Sequence, residues 1–123
     1  MNADELNGIS QRIIGCAFVV SNTLGAGFLE KVYENALALD LRSAGLVIAQ
    51  QYSVAVTYRD VIVGNYTVDL LVEHLVMVEL KAVSALDASH RAQCLNYLAA
   101  TGLPLCLLIN FGRPRIEIKR LAR

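Results

Sequence analysis

At 123 residues, 55% hydrophobic and 18% charged, the chain is expected to form a single domain, 1–123, with a filled core and no room for a separate recognition domain. Eleven Lys and Arg balance eleven Asp and Glu, and a formal charge of zero argues against a general polyanion-binding protein. Mean hydropathy is +0.47, yet no window approaches the ~20 uninterrupted apolar residues of a membrane-spanning helix, so no membrane partner is expected. The apolar surplus points instead to a buried sheet and a self-association surface, hence a possible homo-oligomer.

Leu6, Ile9, Ile13, Ile14 and Phe18 recur at helical spacing and predict a first amphipathic helix ending near Thr23. Asp4, Glu5 and Arg12 within it, and no small-residue cleavage pattern after it, argue against a signal peptide. It also lacks the basic face of a membrane-surface helix. Gly25-Ala26-Gly27 breaks it, a second helix is predicted over 28–44, and Gly45 stops that one. Three β-prone runs follow at 51–58, 61–72 and 75–83. Arg59-Asp60 and Glu73-His74 form the turns between them, and Gly64-Asn65 marks a bend or bulge. Asp87 suits the N-cap of a third helix over 88–100, ended by Gly102 and Pro104. The unbroken apolar run 105–111 reads as a strand covered on both faces. A last strand over 115–121 turns Ile116 and Ile118 inward. The order α-α-β-β-β-α-β-β implies an α/β fold: one mixed sheet flanked by helices, with the third helix crossing between parallel strands. Cys16, Cys94 and Cys106 are scattered and form no C-x-x-C pair, as expected of reduced packing residues in a cytoplasmic protein.

Asp69 and Glu79-Leu80-Lys81 interrupt two otherwise apolar strand runs. Residues two apart on a strand share a face, so Glu79 and Lys81 point the same way. A buried carboxylate without a partner costs several kcal/mol, roughly, and is therefore paired, protonated or bound to a metal. A hairpin bringing Asp69 beside Glu79 makes a two-carboxylate pocket with an ammonium at its rim, the minimum for holding a hard divalent cation against a phosphate. The competing account is a structural ion pair at a sheet edge, but one lysine offsets only one of two acids, and these strands lack the interspersed polar residues of an edge. Elsewhere, Glu30 and Tyr33 lie one helical turn apart. Gln93 and Tyr97 share a stripe with His90, and Leu95, Leu98 and Ala99 lie opposite. Taken singly, these residues read more simply as a solvated acid, a surface amide, and tyrosines with satisfied hydroxyls. Arg113, Arg115, Lys119, Arg120 and Arg123 crowd the last eleven residues against the single acid Glu117. They are either a solvated tail or a phosphate-contacting surface, with Arg113, Arg115 and Lys119 the weakly indicated contacts.

In order, Gly27-x-x-Glu30-x-x-Tyr33, Asp69, Glu79-Leu80-Lys81, Gln93-x-x-x-Tyr97 and Leu108-Ile109-Asn110-Phe111-Gly112 resemble the GxxExxY group of the PD-(D/E)xK nuclease superfamily, over roughly residues 10 to 121. The resemblance implies a restriction-endonuclease-like core and a Mg²⁺- or Mn²⁺-dependent nuclease acting on nucleic acid, DNA in preference to RNA. Asp69, Glu79 and the backbone carbonyl of Leu80 would bind the metal, and Glu30 would complete its shell or hold one of its waters. Lys81 would position or activate the attacking water, acting as a base or as an electrostatic stabiliser. Gln93 and Tyr97 match the Q-x-x-x-Y element that borders the active site in RecB-like exonucleases. Val68 departs from the proline of the superfamily's name. A catalytically silent module of the same fold, binding nucleic acid or protein, is the alternative.

Overall fold

The computed structural model describes residues 2–122. It runs α1 (Ala3–Leu24), α2 (Glu30–Ser43), β1 (Ile48–Tyr58), β2 (Val61–Val72), β3 (Val76–Lys81), α3 (Ala88–Thr101), β4 (Leu105–Asn110) and β5 (Glu117–Ala122). The element order matches the sequence expectation. The five strands lie in the order β1-β2-β3-β4-β5. All neighbours are antiparallel except β3 and β4, which are parallel and joined by the α3 crossover.

Every residue of β4 is buried, as its unbroken apolar run requires. The sheet separates two cores. On one face Ile13, Ala17, Leu37 and Leu41 of the α1–α2 layer pack with Leu70, Val78, Leu80, Leu107 and Ile109. On the other, Cys94, Tyr97 and Leu98 of α3 pack with Val68, Leu71, Met77, Cys106 and Leu108. Each fully buried Leu or Ile stabilises the fold by about 1.5–3 kcal/mol.

Strict alternation fails at one level of the sheet. On β2, Leu70 and Val72 join the α1–α2 core while Val68 and Leu71 join the α3 core, so the pleat slips at Asp69. On β1, Ile48 packs with the first core and Val54 with the second, although an even spacing keeps both on one face of a regular strand. Gln51, with φ of 53°, supplies that slip directly opposite Asp69.

The local signals hold with small shifts. Asn2 caps α1 and Asp87 caps α3, where His90 returns the capping-box bond. Arg59-Asp60 and Glu73-His74 all take positive φ, as tight hairpin turns demand. The bulge falls on Val63, which is skipped between the pairs Val56–Gly64 and Thr57–Ile62, next to the predicted Gly64-Asn65. β1 begins at Ile48 rather than at 51, since Ile48, Ala49 and Gln50 already pair with Val72, Leu71 and Leu70. β5 begins at Glu117 rather than at 115, because Ile116 is buried before the strand starts pairing. Two apolar stripes are rotated from expectation. Phe18 is exposed while Ala17 and Val20 are buried, and Leu95 is exposed while Cys94 and Tyr97 are buried.

Candidate functional site

β2 and β3 pair from Val72–Val76 to Leu70–Val78 and no further. At the next level, Asp69 and Glu79 bond through side chain to backbone instead. Glu79 Oε1 accepts the Asp69 N–H at 3.2 Å, and Asp69 Oδ2 accepts the Leu80 N–H at 2.7 Å. Two carboxylates thus stand where a ladder rung would be, and the sheet opens there.

Glu79 is 4% exposed. Its Oε2 accepts the Tyr97 hydroxyl at 3.2 Å and lies 3.9 Å from Lys81 Nζ. Burial first, and the charge of Asp69 second, push its carboxyl up to about 8, with Lys81 only partly opposing them. Burial and the adjacent Glu79 also raise the Tyr97 phenol, which keeps it a donor. Glu30, exposed on the first turn of α2, has its carboxyl raised by burial and then by Asp69, while Lys81 and His90 lower it. Glu30 is thus within electrostatic range of Asp69, Lys81 and His90. Lys81, Gln93 and Tyr97, with Tyr66 and His90, line an open cleft of about 440 Å³. His90 is half-buried, and its Nδ1 accepts the Asp87 N–H at 3.1 Å.

Tyr33 is brought elsewhere. It is fully buried, its ring stacks on Phe111 at 4.8 Å, and its hydroxyl donates to the Gly25 carbonyl at 2.6 Å and accepts the Phe28 N–H at 3.1 Å. It ties down the loop that launches α2. Asn110 clamps the loop after β3: Oδ1 accepts from Val83 and Gly112, and Nδ2 donates to Val83 and Glu117. Gly112 sits so close to this loop that a Cβ would meet the Val83 oxygen at 2.2 Å.

Arg113 and Arg115 lie in the segment after β4, which begins with the Phe111 N–H donating to the Lys81 carbonyl at 2.8 Å. Arg113 stands 3.7 Å from Glu117, and Arg115 is exposed. Lys119 is exposed on β5 opposite Leu108, which in turn pairs with Glu79. Arg120 instead braces α1 through Asn7 and Ser10. Arg123 lies outside the described residues.

Two polar groups beside the site escape sequence reasoning. Glu34 looks like a surface helical acid but is 3% exposed, accepting from Lys31, Gln50 and Gln51. Gln51 also reaches Asp69 Oδ1 at 3.3 Å. Glu34's place between the apolar Tyr33 and Leu37 was the one available signal.

A sequence model described as the PD-(D/E)XK nuclease superfamily matches residues 7–121. The chain belongs to the PD-(D/E)XK nuclease superfamily. Its mixed five-stranded sheet with flanking helices is the fold of that superfamily. The fold is shared with the crystal structure of an alkaline exonuclease from Laribacter hongkongensis, with a TM-score of 0.53 and 12% identity over 94% of this chain and 80% of that one. No curated protein matches the sequence. PD-(D/E)XK nucleases generally use divalent metals. Among the described residues no group of three or more His, Cys, Asp and Glu side chains gathers as a cage. The pair that does gather fits a hard cation, which takes few protein oxygens and keeps several waters. Burial, and after it the charge of Asp69, holds the Glu79 carboxyl protonated up to about 8 in the absence of a cation.

Proposed function

We propose that this chain is a divalent-metal-dependent nuclease of the GxxExxY group, hydrolysing phosphodiester bonds of nucleic acid, DNA in preference to RNA. The observation that carries this reading is the replaced ladder rung, two carboxylates bonded into each other's strands with Lys81 3.9 Å from Glu79. Asp69, Glu79, the Leu80 carbonyl and Glu30 are the groups that would hold Mg²⁺ or Mn²⁺. Such an ion supplies an acidified water and offsets charge on the phosphate.

The chain's own residues supply the rest. Glu79, whose carboxyl is held up to about 8, would have to be ionised to hold the cation near neutral pH. Tyr97 donates to Glu79 Oε2 and fixes that oxygen's direction. Lys81 stands at the cleft to meet the phosphate or orient the attacking water, and the Gln93 amide borders the same cleft. Arg113, Arg115 and Lys119 offer further phosphate contacts. Exposed Val19, Leu29 and Leu39 support a homo-oligomer, and three free cysteines suit a reducing, cytoplasmic setting.

Incubation of single- and double-stranded DNA and of RNA with Mg²⁺ or Mn²⁺, alongside Asp69→Ala and Lys81→Ala, tests the reading. Cleavage by the wild type, lost in both variants, is the expected result. Cleavage surviving both substitutions, or none under any condition, overturns it. Absence of cleavage together with unaltered binding of nucleic acid or protein points to a silent module.

A further inference from the structure

We propose that Gln51 is a positioning residue, anchored by the buried Glu34, that fixes the carboxylate of Asp69 for its work; the proposal rests on reading Asp69 as a functional acid. The Gln51 Nε2 has two hydrogens and two acceptors, Glu34 Oε1 at 2.7 Å and Asp69 Oδ1 at 3.3 Å. Asp69 Oδ2 is already held by the Leu80 N–H at 2.7 Å. Both oxygens of Asp69 are therefore aimed by donors, one from β3 and one from β1. Glu34 is a firm anchor because its other oxygen accepts from Gln50 at 2.8 Å and Lys31 at 3.1 Å.

The backbone is bent to make this bridge. Successive strand side chains point to opposite faces, yet Gln50 and Gln51 both reach the same Glu34 carboxylate. The positive φ of 53° at Gln51 accounts for that. A non-glycine residue holds such a conformation inside a strand only when its surroundings over-determine it, and such strain clusters at functional sites. Gln50 and Lys31 both serve Glu34 Oε2, so Gln51 is the donor to Oε1, and the same bent amide carries that anchor across to Asp69. The bridging group is also neutral. A lysine at this place cancels the charge of Asp69, whereas an amide orients the carboxylate and leaves its charge for a cation.

Gln51→Gly separates the bridge from the backbone, because glycine adopts positive φ freely and removes only the amide. Three readouts are taken: hydrogen exchange at the Leu80 amide in metal-free protein, the Mn²⁺ concentration that half-saturates the rise in melting temperature, and cleavage kinetics. Relative to wild type, Gln51→Gly is expected to melt lower without metal, because Glu34 Oε1 loses its donor, and to exchange Leu80 about tenfold faster. It is also expected to need about tenfold more Mn²⁺ and to lose about tenfold in kcat with KM unchanged. Wild-type exchange at Leu80 with a wild-type Mn²⁺ midpoint overturns the proposal. If the wild type neither cuts nor responds to Mn²⁺, the nuclease reading fails by itself. Leu80 exchange then decides the positioning alone, faster exchange upholding it and unchanged exchange overturning it.

Discussion

Glu79 and Asn110 are both buried at the same end of the sheet, on adjacent strands, and they are opposites. Asn110 has all its needs met: two N–H groups on its oxygen, and a carbonyl and a carboxylate on its amide. Its partner Glu117 is lowered in consequence, chiefly by the Asn110 bond. Glu79 has donors too, but burial and then the charge of Asp69 hold its carboxyl up to about 8, with Lys81 only partly opposing them. A polar group matched by complementary partners stabilises the fold around it, while a buried acid with a strongly shifted carboxyl is a candidate functional group.

The two groups respond to substitution in opposite ways. Asp69→Ala is expected to cut turnover by roughly a thousandfold or more. It strands the Leu80 N–H but relieves Glu79 of a repelling neighbour, so it is expected to destabilise the metal-free protein less than Asn110→Ala does. Asn110→Ala strands the Val83 and Gly112 N–H groups and costs about 3 kcal/mol, read by denaturant unfolding. If Asp69→Ala destabilises as much as Asn110→Ala, the contrast is wrong.

The pH profile of the metal-free protein sharpens it. A carboxyl raised in the folded state ionises first in the unfolded chain, so stability is lost as pH climbs from 4.5 to about 8. The protein is therefore expected to unfold more readily at pH 8 than at pH 5, by at most about 1.4 kcal/mol per pH unit crossed. Glu79→Gln should flatten the slope, and Mn²⁺ should abolish it.

Tyr97→Phe removes one donor from Glu79 and is expected to lower kcat about tenfold with little change in melting temperature. Smallest is the effect of Arg113→Ala with Arg115→Ala. If both meet phosphates, the slope of log affinity against log salt for duplex DNA becomes shallower by about 1.8, and by nothing if they do not.

The strands and the acids at positions 69 and 79 could be read from one dimension because a charge inside an apolar run is conspicuous there. The slip of pleat at Gln51 and Asp69 could not, since it depends on which helix layer each strand meets. Glu34 illustrates the same point: its burial comes from β1 closing over α2, and only its place between Tyr33 and Leu37 hints at it. Phe18 and Leu95 fit helical periodicity as well as their buried neighbours do, and only the packing partner chooses the stripe. Tyr33, one turn from Glu30, turns into the core because Phe111 offers it a stacking face.

The near-contact between Gly112 and Val83 fixes a splice point for engineering. Exchanging the segment at 113–116 is compatible with the architecture so long as the cut falls after Gly112. A graft that begins one residue earlier brings in a side chain that pries apart the connection leading from Lys81.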